Sequence, residues 1–331
     1  MSAEGNRLPV VVAGLGPIGQ EVVRSVLATP ELELVAALDI DPQLLGRPLE
    51  ELIGQPAEGL VVEEESAETL GRAKGGALLQ LTGSRLPTVL AQLERAISLG
   101  VNVVSSCEEL AFPWLAHPDT ADRIERLASK ADVSILGTGV NPGFVLDRLV
   151  VTLGAATGLL RRVEAERVVD ASSRREQLQR KVGAGLTREQ FERGVQAGKI
   201  GHIGLAESAA LVSAGLGLGC DEFDEEIEPV MATRAIAGPV PVDVGRVAGS
   251  TQRVRGFASG RELLSLRTTI AVGAPDPHDL VVIDGDPPLR VRSEGGISGD
   301  RATAWSLVNA IPAVVTAEPG LLTVLDLPAG R

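Results

Sequence analysis

Apolar runs alternate with amphipathic stretches along the first part of the chain. Each run is short and bounded by glycine, proline or polar residues, and it therefore predicts a buried strand. The runs cover residues 9–13, 32–38, 76–81, 101–106 and 133–136. Between them, residues 20–28, 88–99 and 121–131 carry apolar side chains at helical spacing. This order of strands and helices predicts an α/β domain with a doubly wound parallel sheet.

A different pattern begins near residue 147. It predicts a long strand over 162–171, a helix that starts at the capping-box residues Thr187 and Gln190, and a second helix over 205–216. Four strand-like runs follow, at 229–237, 252–258, 263–272 and 280–283. We therefore predict a second, α+β domain with an antiparallel sheet, and we interpret the acidic residues 221–228 as a solvated loop.

The last apolar segments are predicted to return to the first domain. Residues 301–310 predict a helix that ends before Pro312, because proline interrupts helices. Residues 321–325 predict a strand, which needs a sheet to join. The predicted parts are therefore residues 1–146, residues 147–300 and a C-terminal segment, 301–331.

The first strand leads directly into residues 14–19, GLGPIG, which have the G-x-G-x-x-G spacing of a dinucleotide-binding loop. Gly14 allows a tight turn, Gly16 lets a pyrophosphate approach the backbone, and Gly19 lets the next helix pack against the strand. The helix N-terminus favours the phosphates through its free N–H groups and its dipole. We predict that residues 1–146 are a Rossmann dinucleotide-binding domain, with Pro17 and Ile18 also contacting the cofactor.

Asp39 ends the second strand, twenty residues after Gly19, where an acid that binds the ribose is expected. Asp39 and Asp41 together would repel a 2′-phosphate, which favours NAD over NADP. Arg47 is close enough in sequence to weaken that preference, so NADP stays an alternative.

Two further strand exits carry small or amide side chains. Thr82 and Gly83 follow the third strand, and they fit either a loop under the ribose and nicotinamide or a simple turn. Asn141 follows the strand at 133–136 and precedes Pro142. Its amide could orient the nicotinamide carboxamide or the substrate, and the alternative is a residue that shapes the turn. Ligands of such sheets bind outside the carboxyl ends of the strands, where these exits converge.

Glu108 and Glu109 follow the strand at 101–106 and are the candidate catalytic carboxylates. A carboxylate in an apolar pocket has a raised pKa and can transfer protons near neutral pH. It can also stabilise an ammonium or iminium ion by its charge. Adjacent residues do not easily face the same pocket, so we favour Glu108 and keep Glu109 as the alternative; both could also be solvated loop charges.

Charge and composition exclude several classes of protein. The net charge of −13 and the isoelectric point near 4.8 argue against nucleic acids and anionic membranes as partners. We expect a cytoplasmic protein, because the sequence shows no membrane-length apolar run, no signal peptide and only two cysteines. No metal site is predicted, since His117, His202 and His278 lack metal-ligand spacing. Tyrosine is absent and cannot be the catalytic acid.

Several motifs resemble the 2,4-diaminopentanoate dehydrogenase family, which is distantly related to dihydrodipicolinate reductase. They are GLGPIG, SSCEELAFPW, GTGVNPGFVLD, RVVDASSRREQLQRKVGAGLTREQFERGVQAGKIGHIGLAESAAL and DRATAWSLVNAIPAVVTAEPG. The resemblance implies a two-domain subunit, usually a homodimer, with the active site between the domains. Residues 147–300 would then form the substrate and dimerisation domain. It also implies a catalytic glutamate in the CEEL segment, which matches Glu108, or Glu109 if the register differs by one.

Some members of this family are NAD(P)-dependent amine dehydrogenases, and the resemblance implies an oxidoreductase acting on a small-molecule amine. The chain lacks the paired histidines of dihydrodipicolinate reductases, and Val169 stands where family enzymes for the diamino acid often have asparagine. We therefore expect reversible reductive amination of small ketones or aldehydes with ammonia. The alternatives are 2,4-diaminopentanoate oxidation and a non-catalytic NAD(H)-sensing protein. Further expected contacts are Asn309 for the cofactor and Phe144, Val169, His202, Ile203 and Thr303 for the substrate.

Overall fold

The structure of the chain is a computed structural model that describes residues 7–328 and 330. The chain divides into two compact units. Unit 1 takes in the chain up to Phe144 and again from Ser298, and unit 2 is Val145–Ile297. Within the described residues, we find no helix with both the length and the apolar character needed to cross a bilayer.

The helices and strands are numbered in chain order. Unit 1 begins with β1 (Leu8–Ala13), α1 (Pro17–Leu27), β2 (Leu32–Leu38), α2 (Leu49–Ile53), β3 (Val62–Glu63), α3 (Ala67–Gly71), β4 (Ala77–Gln80), α4 (Leu86–Ser98), β5 (Asn102–Ser105), a 3₁₀ helix (Glu108–Ala111), α5 (Pro118–Ala131) and β6 (Ser134–Gly137). Unit 2 contains α6 (Arg148–Gly154), β7 (Gly158–Asp170), α7 (Glu176–Lys181), α8 (Arg188–Gln196), α9 (Leu205–Leu216), β8 (Glu222–Met231), β9 (Val247–Ala258), β10 (Arg261–Ala271), β11 (His278–Asp286) and β12 (Leu289–Glu294). Unit 1 ends with α10 (Gly299–Thr316) and β13 (Gly320–Leu322).

Unit 1 is built on a seven-stranded sheet with the order β13-β6-β5-β4-β1-β2-β3, in which every pair of neighbours is parallel. The central strands β4, β5 and β6 are buried along their whole length, because helices cover both faces. This confirms the predicted doubly wound α/β fold. The strand order reverses at β1, where the chain passes from β1–β2–β3 on one side to β4 on the other. Ligands of such sheets bind beside this reversal.

Unit 2 contains a six-stranded sheet with the order β12-β11-β7-β10-β9-β8. The prediction of an antiparallel sheet was wrong at one pair, because β7 and β10 are parallel and the sheet is mixed. Parallel neighbours need a long connection between them, and helices α7–α9 with β8 and β9 provide it. Along β7 one face is buried, as at Val163 and Ala165, and the other is exposed, as at Arg162 and Glu164.

Two further predictions need correction. The acidic residues 221–228 are not a loop, because most of them form the edge strand β8. Acidic side chains of β8 lie opposite arginines of β9, as Asp224 does with Arg255, and these two form an ion pair. The last helix does not stop before Pro312 but runs to Thr316. An interior proline costs a helix about 3 kcal/mol. Ile311 and Val314 are fully buried on the same helix, so burial of their side chains offsets this cost.

Candidate active site

The glycine loop has the geometry that its sequence predicts. Gly14 has a φ of +95°, and a Cβ there would lie 2.7 Å from the Leu81 carbonyl oxygen. A Cβ on Gly19 would lie 1.8 Å from the Gly14 carbonyl oxygen, so α1 packs against the loop only because residue 19 is glycine. The close approach of Gly14 to the backbone of Leu81 and Thr82 places the loop beside the end of β4.

Asp39 lies against this loop. Its Oδ2 accepts a hydrogen bond from the Leu15 N–H at 2.7 Å, and its Oδ1 accepts from the N–H groups of Ile40 and Asp41 at 2.8 and 2.9 Å. These bonds hold the carboxylate in one orientation at the point where a ribose hydroxyl is expected. Arg47 pairs with Glu51 at 3.6 Å.

The residues present fit a dinucleotide. Gly16 is the N-cap of α1 and offers no side-chain acceptor, and the first turn carries no acidic residue, so nothing on the helix competes with a phosphate for its N–H groups. In the described part of the chain, no atom other than those of Gly16's chain neighbours and nearby helix backbone lies within 4 Å of the place that a Cβ on Gly16 would occupy. Pro17 is the first helical residue, where its missing N–H costs nothing. Gly14, Gly16, Pro17, Ile18, Gly19 and Asp39 would hold the cofactor here.

A hydrogen-bonded chain of side chains lies under the ends of β4 and β5. Gln80 is completely buried; it donates to the hydroxyl of Thr82 and accepts from that of Ser105. Thr82 in turn donates to Gln92 on α4 at 2.8 Å, and Ser105 accepts from the N–H of Cys107 at 3.0 Å. This hydrogen-bond network fixes the exits of β4 and β5 relative to each other. Gly83 follows Thr82, and a Cβ there would lie 2.9 Å from the Thr88 hydroxyl.

Glu108 and Glu109 occupy the first two positions of the 3₁₀ helix, and they have different surroundings. Glu108 is half-buried. Glu109 is buried, and its carboxylate contacts Arg85, His117 and the N–H of Leu86. Both Glu109 oxygens therefore have partners within unit 1, and which of the two carboxylates acts on a substrate stays a prediction.

Cys107 precedes this pair and is buried. The pKa of its thiol is raised to about 12, mainly by burial, and the nearby carboxylates of Glu108 and Glu109 contribute in the same direction. The thiol is therefore neutral near pH 7 and is not a nucleophile.

The exit of β6 lies against α10. The Val140 N–H donates to the hydroxyl of Thr303 at 3.3 Å, and a Cβ on Gly139 would approach the Thr303 methyl at 3.6 Å. Asn141 is half-buried in the same loop, before a cis peptide bond to Pro142. Phe144, at the end of unit 1, is 37% exposed. The fold thus brings Thr303 of the C-terminal segment to the loop that carries Asn141. Asn309 is half-buried on the same helix.

The remaining predicted residues are in unit 2. The N–H and carbonyl groups of His202 both bind the buried Gln252 side chain, at 2.6 and 2.8 Å. His202 lines a cavity with residues of α7, β9 and β10, including Lys181 and Ile270. Val169 lies beside Ile270 in the parallel pairing of β7 with β10, and Ile203 follows His202 in sequence. Val169 and His202 are therefore associated with one region of unit 2, while their contact with a substrate stays a prediction.

The arginine and aspartate at the end of β7 do not pair with each other. Arg167 is buried and binds Asp279 of β11 at 3.0 and 3.1 Å, and Asp279 also accepts from the N–H of Ile297 at 2.7 Å. Burial lowers the pKa of the Arg167 guanidinium, although the Asp279 charge opposes this. Burial alone would raise the pKa of Asp170, but hydrogen bonds from Ser172 and the Gly273 N–H lower it below its ordinary value.

The sequence did not identify the partners of Glu109 or the role of Gln80. Gln80 ends an apolar strand and carries no motif, and Arg85 and His117 lie 24 and 8 residues from Glu109 along the chain. For Gln80, the signal in the sequence was a polar residue at the end of an apolar strand. Within the described residues, no group of three or more His, Cys, Asp or Glu side chains could hold a metal ion.

Comparison with known proteins supports the sequence motifs. Residues 144–331 match the sequence profile of the 2,4-diaminopentanoate dehydrogenase C-terminal domain. The chain is 27% identical over 334 residues to a 2,4-diaminopentanoate dehydrogenase of Acetoanaerobium sticklandii, covering 98% of this chain and 94% of that protein. It is 26% identical over 354 residues to an amine dehydrogenase of Streptomyces virginiae, covering 97% and 96%.

Solved structures agree on the fold. An amine dehydrogenase from Mycobacterium smegmatis superimposes with a TM-score of 0.85 at 23% identity, covering 99% of this chain and 98% of that one. The profile match covers more than half of the chain and confirms the resemblance inferred from the motifs. The chain therefore belongs to the family defined by the 2,4-diaminopentanoate dehydrogenase C-terminal domain.

Proposed function

We propose that the protein is an NAD-dependent amine dehydrogenase, which catalyses the reversible reductive amination of small ketones or aldehydes with ammonia. The observation that carries this proposal is the position of Glu108. Glu108 begins the 3₁₀ helix that follows β5. β5 belongs to the parallel sheet whose other strands lead into the glycine loop and Asp39. The family of the chain and the names of its relatives support an oxidoreductase that acts on amines.

Glu108 would act on the nitrogen of the substrate. Its carboxylate removes a proton from ammonium, and the resulting ammonia attacks the carbonyl carbon. Glu108 then returns this proton to the hydroxyl of the carbinolamine, which leaves as water. Glu108 is again a carboxylate, and its negative charge stabilises the positive iminium ion. The bound nicotinamide cofactor supplies the hydride in this direction and accepts it in the other. The Asp39 carboxylate is held by three backbone N–H groups where a ribose is expected, and this supports a preference for NAD over NADP.

The test is NADH oxidation with cyclohexanone or a short aldehyde in concentrated ammonium buffer, for the wild type and Glu108→Gln. Loss of a catalytic proton-transfer group should lower kcat by about 100-fold or more. Unchanged kcat in the variant would refute the role of Glu108. Oxidation that proceeds equally without ammonia would identify a carbonyl reductase. NADH binding without turnover across a panel of amines and ketones would identify a nucleotide-sensing protein.

A second candidate function is the oxidation of 2,4-diaminopentanoate. It is favoured by Lys181, which lines the same unit 2 cavity as His202 and could hold a substrate carboxylate. Lys181→Met should then raise KM for the diamino acid while leaving KM for 2-aminopentane unchanged. Equal KM changes for both substrates would exclude this use of Lys181.

We also propose a homodimer formed through the exposed face of the unit 2 sheet. On that face, Asp224 and Glu226 of β8 lie opposite Arg255 and Arg253 of β9. Sedimentation of the wild type at micromolar concentration tests this, and a monomeric mass would refute it.

Neither cysteine forms a disulfide, which agrees with a reducing compartment, and we propose the cytoplasm.

A further inference from the structure

Glu109 and its partners surround the 3₁₀ helix that carries Glu108. We propose that Glu109 is a positioning residue, which together with Arg85 and His117 fixes the orientation of Glu108. This inference rests on the proposed function, because it assumes that Glu108 acts on the substrate.

The contacts of Glu109 join three separate segments of unit 1. Its Oε1 binds Arg85 Nη1 at 3.1 Å, and its Oε2 accepts from the Leu86 N–H at 2.7 Å and lies 3.0 Å from His117 Nε2. Its own N–H donates to the Ser84 carbonyl oxygen at 3.3 Å. The residue is thus bound to the loop before α4 through both its backbone and its side chain, and to the start of α5 through His117.

Helix α4 has no side-chain cap of its own, because its N-cap residue Arg85 makes no capping hydrogen bond. The Glu109 carboxylate supplies the missing acceptor to the first N–H of that helix, at Leu86. A carboxylate at a helix N-terminus is also favoured by the helix dipole. One side chain therefore ends α4 and anchors the 3₁₀ helix.

The backbone of the 3₁₀ helix is restricted by the sheet as well. A Cβ on Gly137, at the end of β6, would lie 2.4 Å from the Leu110 carbonyl carbon and 2.6 Å from the Ala111 nitrogen. The backbone of the 3₁₀ helix thus packs directly on the sheet. Held between Gly137 and the Glu109 contacts, the helix has little freedom to rotate.

Adjacent residues of a 3₁₀ helix project about 120° apart, because the helix has three residues per turn. When Glu109 is bound to Arg85 and His117, Glu108 is therefore held in a different direction. Glu109 itself is poorly suited to meet a substrate, since its side chain is only 9% exposed and both oxygens have protein partners. The CEEL sequence combines one carboxylate for chemistry with one for its placement.

A double-mutant cycle on Glu108→Gln and Glu109→Gln tests the proposal at saturating NADH. Misplacement of a reacting group by about 1 Å can cost about 100-fold in rate, so Glu109→Gln should lower kcat by about tenfold or more. KM for NADH should stay within about twofold of the wild type, since the glycine loop is intact. The effects of residues that act as a unit are not additive, so kcat of the double variant should be within about threefold of kcat of Glu108→Gln. Unchanged kcat in Glu109→Gln, or a fully multiplicative loss in the double variant, would overturn the proposal.

Two further variants separate positioning from loss of folding. His117→Gln retains a side-chain N–H donor, and it should recover most of the kcat lost in His117→Ala. Glu125→Gln is the matched control, because Glu125 also accepts a backbone N–H, from Leu321 at 2.5 Å, but at the amino end of β13. It should leave kcat unchanged. Equal losses in His117→Gln and His117→Ala, or a loss in Glu125→Gln as large as that in Glu109→Gln, would contradict a positioning role.

Hydrogen exchange of the segment 105–117 makes the test independent of catalysis. Glu109→Gln should accelerate exchange in this segment and leave β1 and α1 protected. Should Glu108→Gln prove fully active, the proposed function would lose its catalytic residue, and exchange would still decide whether Glu109 fixes the helix. Unchanged exchange in the segment would refute the anchoring itself.

Discussion

Three carboxylates of unit 1 bind backbone N–H groups, whereas several carboxylates of the unit 2 sheet pair with arginines across strands. In unit 1, Asp39, Glu109 and Glu125 accept hydrogen bonds from backbone N–H groups, at Leu15, Leu86 and Leu321. In unit 2, carboxylates of the sheet mostly pair with arginines of neighbouring strands, as Glu166 does with Arg267 at 2.7 Å and Glu262 with Arg162 at 2.6 Å. The first arrangement fixes loops, and the second connects strands.

The difference follows from the two sheets. The parallel sheet of unit 1 is buried on both faces, so its polar groups are concentrated at strand ends, where loops leave backbone N–H groups without partners. The mixed sheet of unit 2 has an exposed face, and charged side chains can alternate along it. We therefore expect substitutions of Asp39 and Glu109, which hold loops at the carboxyl ends of β2 and β5, to change ligand binding and rate. Substitutions in unit 2 pairs should change stability according to their burial.

The largest stability effect is expected at Arg167. Arg167→Met leaves the buried Asp279 charge without its guanidinium, and breaking a buried pair from one side costs about 3–5 kcal/mol. Urea unfolding should show the loss as a lower midpoint. Arg167→Met/Asp279→Asn removes the stranded charge and keeps an acceptor for the Ile297 N–H, so it should recover part of the stability. If the double variant is less stable than Arg167→Met, the charge argument fails.

Asp39 should affect cofactor choice more than stability. Asp39→Ser removes the charge that repels a 2′-phosphate and keeps an oxygen near the Leu15 N–H. We expect the ratio of kcat/KM with NADPH to that with NADH to rise about 100-fold, equivalent to about 2.7 kcal/mol. Glu33→Ser is the control, because Glu33 is an exposed carboxylate on β2, the strand that precedes Asp39, and it should leave the ratio unchanged. A ratio unaffected by Asp39→Ser would place the selection for NAD elsewhere.

Cys107 provides a pH-dependent test of burial in unit 1. Its pKa is raised from 9.0 to about 12 in the folded protein, so the unfolded chain releases this proton at lower pH. The contribution to stability is complete below about pH 9 and is lost as the pH rises towards 12. The slope of stability against pH in that window should be smaller in Cys107→Ala. At pH 8 in the native state, a thiol reagent should label Cys220 and not Cys107; equal labelling would contradict the burial of Cys107.

The smallest effect is expected at an exposed pair of unit 2. Arg161 binds Asp284 at 2.5 Å, but both side chains are about half exposed to solvent. Exposed ion pairs contribute little, because water and salt screen them. Arg161→Met should leave the unfolding midpoint within the scatter between preparations. A loss as large as that of Arg167→Met would show that burial does not distinguish the pairs.

Much of unit 1 could be predicted because the signals are local. Apolar runs of strand length and helical periodicity depend on residues close in sequence, and Gly19 is required by its contact with Gly14, five positions earlier. Unit 2 was predicted less well, since the parallel pairing of β7 with β10 depends on residues 100 apart or more, such as Val163 and Leu264. β8 was missed because acidic residues rarely form strands, and only the facing arginines of β9 make that strand favourable.

The sequence by itself determined the alternating α/β pattern, the glycine loop with Asp39, and Glu108 and Glu109 as the two candidate carboxylates. Only the tertiary structure shows that Glu109 is buried and bound to Arg85 and His117. Adjacent glutamates are equivalent in composition and local pattern, and the difference between them comes from Arg85 and His117, which the fold brings to Glu109. Side-chain partners distant in sequence are set by packing of whole elements, and no local pattern contains them.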